Sequence, residues 1–216
     1  MRTELRIHAK AGALPDIHAT GGLSARRTGR STVHLIGTAA TPLGGDELDI
    51  TILVDPGARL TVRSVAATIA LPGRLTRKSH AHWHFEIAGT LDFDPEPTVI
   101  AGGAHHESRT TVHLTETAHL RLRERIQIGR TGEDTGYWRG DLTADLPTHP
   151  LLRHRLDLGP HTPTDDPLSA PRALESELRY PDNRPPETIG LDSARLPLAA
   201  GGSLFTRTGR LLGSSA

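Results

Sequence analysis

Leu48, Ile50, Ile52 and Val54 occupy alternate positions, and this period of two recurs down the chain. A strand turns successive side chains to opposite faces, so the pattern asks for half-buried strands rather than helices. Leu5, Ile7 and Ala9 alternate with Glu4, Arg6 and His8 in the same way, and Leu60 and Val62 resume the pattern after Asp55-Pro56-Gly57-Ala58. Pro and Gly stand there as a type II turn requires. Further strands are expected over 82–87, 111–114, 119–128, 137–146 and 152–158. The stretch 171–180 stays open: Leu174 and Leu178 are four apart, as a helix wants, while Leu174, Ser176, Leu178 and Tyr180 would share one side of a strand.

Sixteen prolines and 22 glycines punctuate the chain, most densely over 161–186, where 161–166 and 182–187 read as loop. Many short strands with turns between them predict a mainly β, helix-poor architecture, either stacked sheets or a solenoid-like winding. No repeat of fixed period supports a regular solenoid. A length of 216 residues fits a single domain spanning 1–216, with the part from about 160 loop-rich.

Composition excludes several classes. Lys plus Arg and Asp plus Glu each number 25, which argues against a nucleic-acid binder living off phosphate attraction. The absence of cysteine removes disulfides, thiolate zinc sites and cysteine nucleophiles. With aromatics at 3%, Ala, Val, Ile and Leu must build the interior. No apolar run approaches the roughly 20 residues of a membrane span, and no secretory leader pattern opens the sequence. The expectation is a soluble cytoplasmic protein.

Some polar residues carry the parity of their apolar neighbours. Asp46 falls in phase with Leu48 and Ile50, Glu124 with Leu122 and Ile126, His154 with Leu152 and Leu156, and Thr68 with Ala66 and Ala70. Burying an unpaired polar group costs roughly 2–7 kcal/mol, so each must meet a partner, a hydrated passage or an ion. A strand end or a pairing with one of the many arginines is the plain reading of Asp46 and Glu124, and a satisfied core histidine that of His154. Together the four hint at a hydrated internal path.

The 13 histidines invite a metal hypothesis. On a strand, His80, His82, His84 and Glu86 share one face, and His80, His82 and Glu86 reproduce the His-x-His-x3-Glu core of the first cupin motif. That alternative implies a small metal-dependent enzyme in a β-barrel. Phe93 stands where that motif expects glycine and no second motif follows, while Trp83, Phe85 and Ile87 form the opposite apolar face. The row is more simply a solvated face. His105 and His106 could grip an ion only from a loop, since neighbours on a strand point apart. These five histidines are loose metal contacts at most, and no stable metal site is expected. No serine-hydrolase elbow, P-loop or dinucleotide fingerprint is present.

Four segments, read in order, resemble the urease accessory protein UreD family, called UreH in some species. They are Gly44-Gly45-Asp46-Glu47-Leu48 with the later Ala66-Ala67-Thr68; Gly89-Thr90-Leu91 leading to Pro95-Glu96-Pro97-Thr98; Arg123-Glu124 running to Gly129-Arg130 and Gly132-Glu133; and Pro150-Leu151-Leu152-Arg153-His154-Arg155. The resemblance implies an irregular β-helix-like stack of sheets and a non-catalytic scaffold in nickel delivery to apo-urease. It also implies UreF and the GTPase UreG as partners, nickel as a transported ion, and no tightly bound cofactor. The positions matching the family's passage-lining residues are Asp46, Thr68, Glu124 and His154. Two of the family's usual residues are replaced: Ile69 stands in place of lysine and His154 in place of glutamate. Imidazole is a good nickel ligand, so a path could persist with altered affinity. The sequence ends in Leu-Leu-Gly-Ser-Ser-Ala without the amphipathic helix the family carries there, which bears on contacts such a tail would make. A cupin should retain stoichiometric metal on purification, whereas a delivery passage should hold it weakly.

Overall fold

The computed structural model describes residues 1–213, and among them the regular elements are all strands. In chain order these are β1 (Arg2–Ala9), β2 (Asp16–Thr20), β3 (Leu23–Arg27), β4 (Thr32–Gly37), β5 (Glu47–Val54), β6 (Arg59–Ser64), β7 (Thr68–Ala70), β8 (Lys78–Ile87) and β9 (Thr90–Phe93). They continue with β10 (Thr98–Ile100), β11 (His105–Leu114), β12 (His119–Ile128), β13 (Tyr137–Asp145), β14 (Pro150–Leu158), β15 (Ala173–Tyr180), β16 (Glu187–Ile189), β17 (Ser193–Pro197) and β18 (Ser203–Gly209).

The chain shuttles between two sheets. A seven-stranded sheet runs β14-β13-β11-β8-β5-β1-β2, and an eleven-stranded sheet includes the run β15-β12-β9-β6-β4-β3. From β5 to β13 it alternates sheets, with β7 and β10 as short extra rungs, and the neighbours β5, β8, β11 and β13 are parallel, as are β6, β9 and β12. Each circuit therefore stacks on the last, which gives the β-helix-like winding. The tight turns stack too: Ala88 N–H donates to Val54 O, Thr90 N–H to Ala58 O and Thr115 N–H to Ile87 O. Gly89 is required there, because a Cβ would run into the carbonyl oxygens of Asp55 and Ala58.

The alternation maps directly onto burial. Leu48, Ile50, Ile52 and Val54 are all buried, as are Leu5, Ile7 and Ala9. The open stretch at 171–180 resolves as strand β15, paired antiparallel with β12, with Leu174, Ser176, Leu178 and Tyr180 all buried. Cross-strand pairing across a buried face outweighs the local helical spacing of the two leucines. The region expected to be loop-rich from about 160 is continuous loop as far as Arg172, after which four strands extend the second sheet with loop between them, over 181–186 among others. Of the closing Leu-Leu-Gly-Ser-Ser-Ala, the last three residues lie outside the described residues.

Strand β11 also begins earlier than its apolar end suggests, at His105 rather than Thr111. Its register with β8 and β13 lines up Ser79, His106 and Trp138 side by side.

The interior is divided. One apolar cluster holds Ile50, Phe85, Leu91, Leu122 and their neighbours, and a smaller one holds Ala70, Ile100, Ile126, Trp138 and Leu174. The division follows breaks in the second sheet. Strand β12 pairs with β9 through Leu122 and with β10 only from Ile126, so residues 123–125 have no ladder partner on that side. The preceding circuits break at the same level, at 94–97 between β9 and β10 and at 65–67 between β6 and β7.

Candidate functional site

A cavity of about 490 Å³ lies where these breaks stack. Its walls take side chains from both clusters, including Phe85, Leu122, Ile126 and Trp138. The protein has only two tryptophans and three phenylalanines, and Trp83, Trp138, Phe85 and Phe93 all line this space. Rings that bulky fill the sheet interface around the gap without closing it. Trp83 and Phe85 each meet Phe93 edge-on at 5.3 Å between centroids. The lining residues exposed to solvent include Ala40, Val65, Ala66, Ala67 and Ile69, so the mouth is largely apolar, with Glu96 the charged residue on it.

Glu124 stands on the eleven-stranded wall of this cavity. Leu120, Leu122, Ile126 and Ile128 are buried on the same face of β12. Arginine does not neutralise it. Arg121, Arg123 and Arg125 have the opposite parity, and although Arg123 and Arg125 also border the cavity, their guanidinium groups are committed to other acids: Arg121 meets Glu177 at 2.8 Å and Asp94 at 3.0 Å, Arg123 meets Glu175 at 2.5 Å, and Arg125 meets Asp94 at 3.1 Å. Among the described residues the Glu124 carboxyl has no hydrogen-bond partner, and burial pushes its pKa up to about 7. Thr68 lines the same cavity and pairs through β10 with Thr98, another lining residue.

The other two residues that match the family's passage positions sit elsewhere. Asp46 is buried at the entry to β5 but is not part of the cavity wall. Its carboxylate accepts from Thr41 Oγ1 at 2.8 Å and Leu43 N at 2.9 Å, and the Met1 amine lies against its other oxygen. Burial raises its pKa, but these donors outweigh that and hold it below the usual carboxylate value. His154 is half-buried in β14 opposite Leu142, a cavity residue, without itself reaching the lining. Burial lowers its pKa. The structure thus brings Thr68 and Glu124 together and leaves Asp46 and His154 apart from them.

The histidine row lies on the outer face of the seven-stranded sheet. His80 Nδ1 is 3.5 Å from Glu107, His82 Nδ1 is 3.8 Å from Asp49, and His84 Nε2 is 3.0 Å from Glu86. His105 Nε2 is 3.2 Å from Glu107, which Lys78 also holds at 2.7 Å. Each imidazole has a nearby carboxylate, with Glu107 shared by His80 and His105, and among the described residues no three such side chains converge to hold a metal ion. His80, His82 and Glu86 therefore do not assemble the cupin constellation, and two stacked open sheets are not a barrel.

His106 points the other way. It is 4% exposed, its Nδ1 lies 2.9 Å from Ser79 Oγ, and it lines the cavity opposite the wall that carries Glu124. Burial drives its pKa down to about 4, so the ring is neutral at physiological pH. Extending the alternation of Val112 and Leu114 upstream would have turned His106 inward; its Ser79 partner, 27 residues away, leaves no local signal.

Coiled sheets around a mostly apolar cavity with an unpaired carboxyl define a β-coil protein with an internal compartment. Among the described residues no helix is long and apolar enough to cross a membrane. The sequence profile of the UreD urease accessory protein matches residues 4–177. A urease accessory protein UreD of Frankia casuarinae is 47% identical over 166 residues, covering 71% of this chain and 51% of the relative. UreD 1 of Saccharopolyspora erythraea is 37% identical over 190 residues, 86% of this chain and 74% of the relative. UreD of Streptomyces avermitilis is 34% identical over 226 residues, 95% of this chain and 90% of the relative. The chain belongs to the UreD urease accessory protein family. It spans about half the length of the Frankia casuarinae protein.

Proposed function

We propose that this chain serves urease maturation as a non-catalytic scaffold in the cytoplasm, docking on apo-urease with UreF and UreG and conducting nickel to the urease active site through its interior. Family membership supports the urease role. The observation that carries the conducting role is the Glu124 carboxyl, which among the described residues has no hydrogen-bond partner, on the wall of a cavity that opens to solvent. A carboxylate oxygen suits a hard-to-borderline divalent ion, and a single ligand binds it loosely enough to release it. Three or four converging ligands would trap the ion, which defeats delivery. Thr68 contributes a neutral oxygen on the same route, while Asp46 and His154 flank it outside the cavity wall.

Co-expression with urease, UreF and UreG tests this reading. Glu124→Leu, alone or with His154→Leu, should lower nickel per urease active site while the complex still assembles. Replacing a buried polar group by a packed apolar one is often near neutral for stability. Full nickel loading of urease by the double variant would refute the conducting role, and the absence of any complex with urease and UreF would refute the scaffold.

A further inference from the structure

Two polar groups face the cavity from opposite walls with no protein partner on the cavity side among the described residues: the Glu124 carboxyl from β12 and the Nε2 of His106 from β11. We propose that His106 is a second ligand station for a borderline divalent cation inside this cavity, binding through Nε2 while Ser79 holds the ring in place. The proposal rests on the conducting role argued above and adds a residue to it.

Metal-binding histidines commonly donate their other ring N–H to an oxygen, which fixes both tautomer and orientation. The Nδ1–H tautomer of His106 gives that arrangement. With Nδ1–H donating to Ser79 Oγ at 2.9 Å, the Nε2 lone pair is left for the cavity. Register fixes the placement as well, since Ser79, His106 and Trp138 stand in one row across β8, β11 and β13. The Nε1 of Trp138 in the same row is buried without a hydrogen-bond partner among the described residues, so the Ser79–His106–Trp138 row carries a second unsatisfied polar atom. Imidazole favours nickel, copper or zinc over magnesium or calcium, whereas the Glu124 carboxylate does not discriminate in that way. An ion passing between the two would meet one soft-leaning and one hard donor, each loosely binding.

Trp138 is a built-in reporter. In the full-length chain carrying Trp83→Phe it is the remaining tryptophan, and titration with nickel chloride should quench its emission as the ion reaches His106. Adding His106→Gln should abolish that quenching. Ser79→Ala, which keeps the imidazole but frees the ring, should weaken apparent affinity about tenfold. His105→Thr, which removes the outward-facing neighbour, should leave the quenching intact. Unchanged quenching in His106→Gln, or its loss in His105→Thr, overturns the assignment. If circular dichroism shows His106→Gln unfolded, Ser79→Ala decides, and unchanged affinity there overturns it equally. The co-expressed complex separates the two readings. Reduced urease nickel with Glu124→Leu but not with His106→Gln removes the station and leaves the passage, whereas no reduction with either removes the passage itself.

Discussion

Glu124 stands directly opposite Ser176 in the β12–β15 ladder, both lining the cavity, and the serine hydroxyl does not bond the carboxyl. A serine there keeps the site small and polar, but the desolvation of the acid goes uncompensated. That imbalance makes Glu124 a titrating group near neutrality.

Its effect on stability has a definite sign. Burial raises the folded pKa from 4.5 to about 7, so between those values the folded chain holds a proton that the unfolded chain has lost. Stability should fall as pH rises through this window and then level off. Glu124→Gln removes the penalty, so its melting temperature should match wild type at pH 4.5 and exceed it at pH 8. The gain should be at most a few kcal/mol, because part of the side chain reaches cavity solvent. Equal differences at both pH values would contradict it.

Asp46 is a structural anchor in this fold. Its carboxylate ties Thr41 and the Leu43 N–H to the start of β5. Asp46→Ala should cost about 1–3 kcal/mol in urea unfolding, since buried donors lose their acceptor. A cost below about 0.5 kcal/mol would mean that water replaces the carboxylate freely.

The outer histidines should be dispensable. His80, His82 and His84 alternate with Ser79, Ala81, Trp83 and Phe85, which take the inward positions of β8. Replacing all three by threonine, a good strand former, should shift stability by within about 1 kcal/mol and leave urease nickel content unchanged. Loss of nickel loading with an intact complex would give these imidazoles a part in handling the ion.

Gly140 supports the cavity wall by its lack of a side chain. The Trp138 indole packs over it so closely that a Cβ would strike the ring. Gly140→Ala should displace Trp138, shift its emission and cost about 1–3 kcal/mol through overpacking. An unshifted spectrum at wild-type stability would show that the ring has room to move.

Much of the scaffold was legible because alternation is local. The inward sets of β1, β5 and β12 follow from period two alone, and the same parity put Glu124 on the apolar face. For β15 the local pattern suited helix and strand equally, and only pairing with β12 on one side and β18 on the other decided it. Partnering was out of reach. Parity could not tell that Arg121, Arg123 and Arg125 would spend their charge on Asp92, Asp94, Glu175 and Glu177, because those acids lie 27 to 56 residues away in the chain.

Sequence by itself determined that this chain builds strands, which side of each strand is apolar, and which polar residues share that side. Tertiary structure decided what each of those polar residues meets. Asp46 finds donors at a strand entry, His106 finds Ser79 in the neighbouring strand, and Glu124 finds only the cavity. The physical reason is range: side-chain direction within a strand is set by adjacent peptide units, whereas register and stacked sheet breaks arise only when segments far apart in the chain pack together.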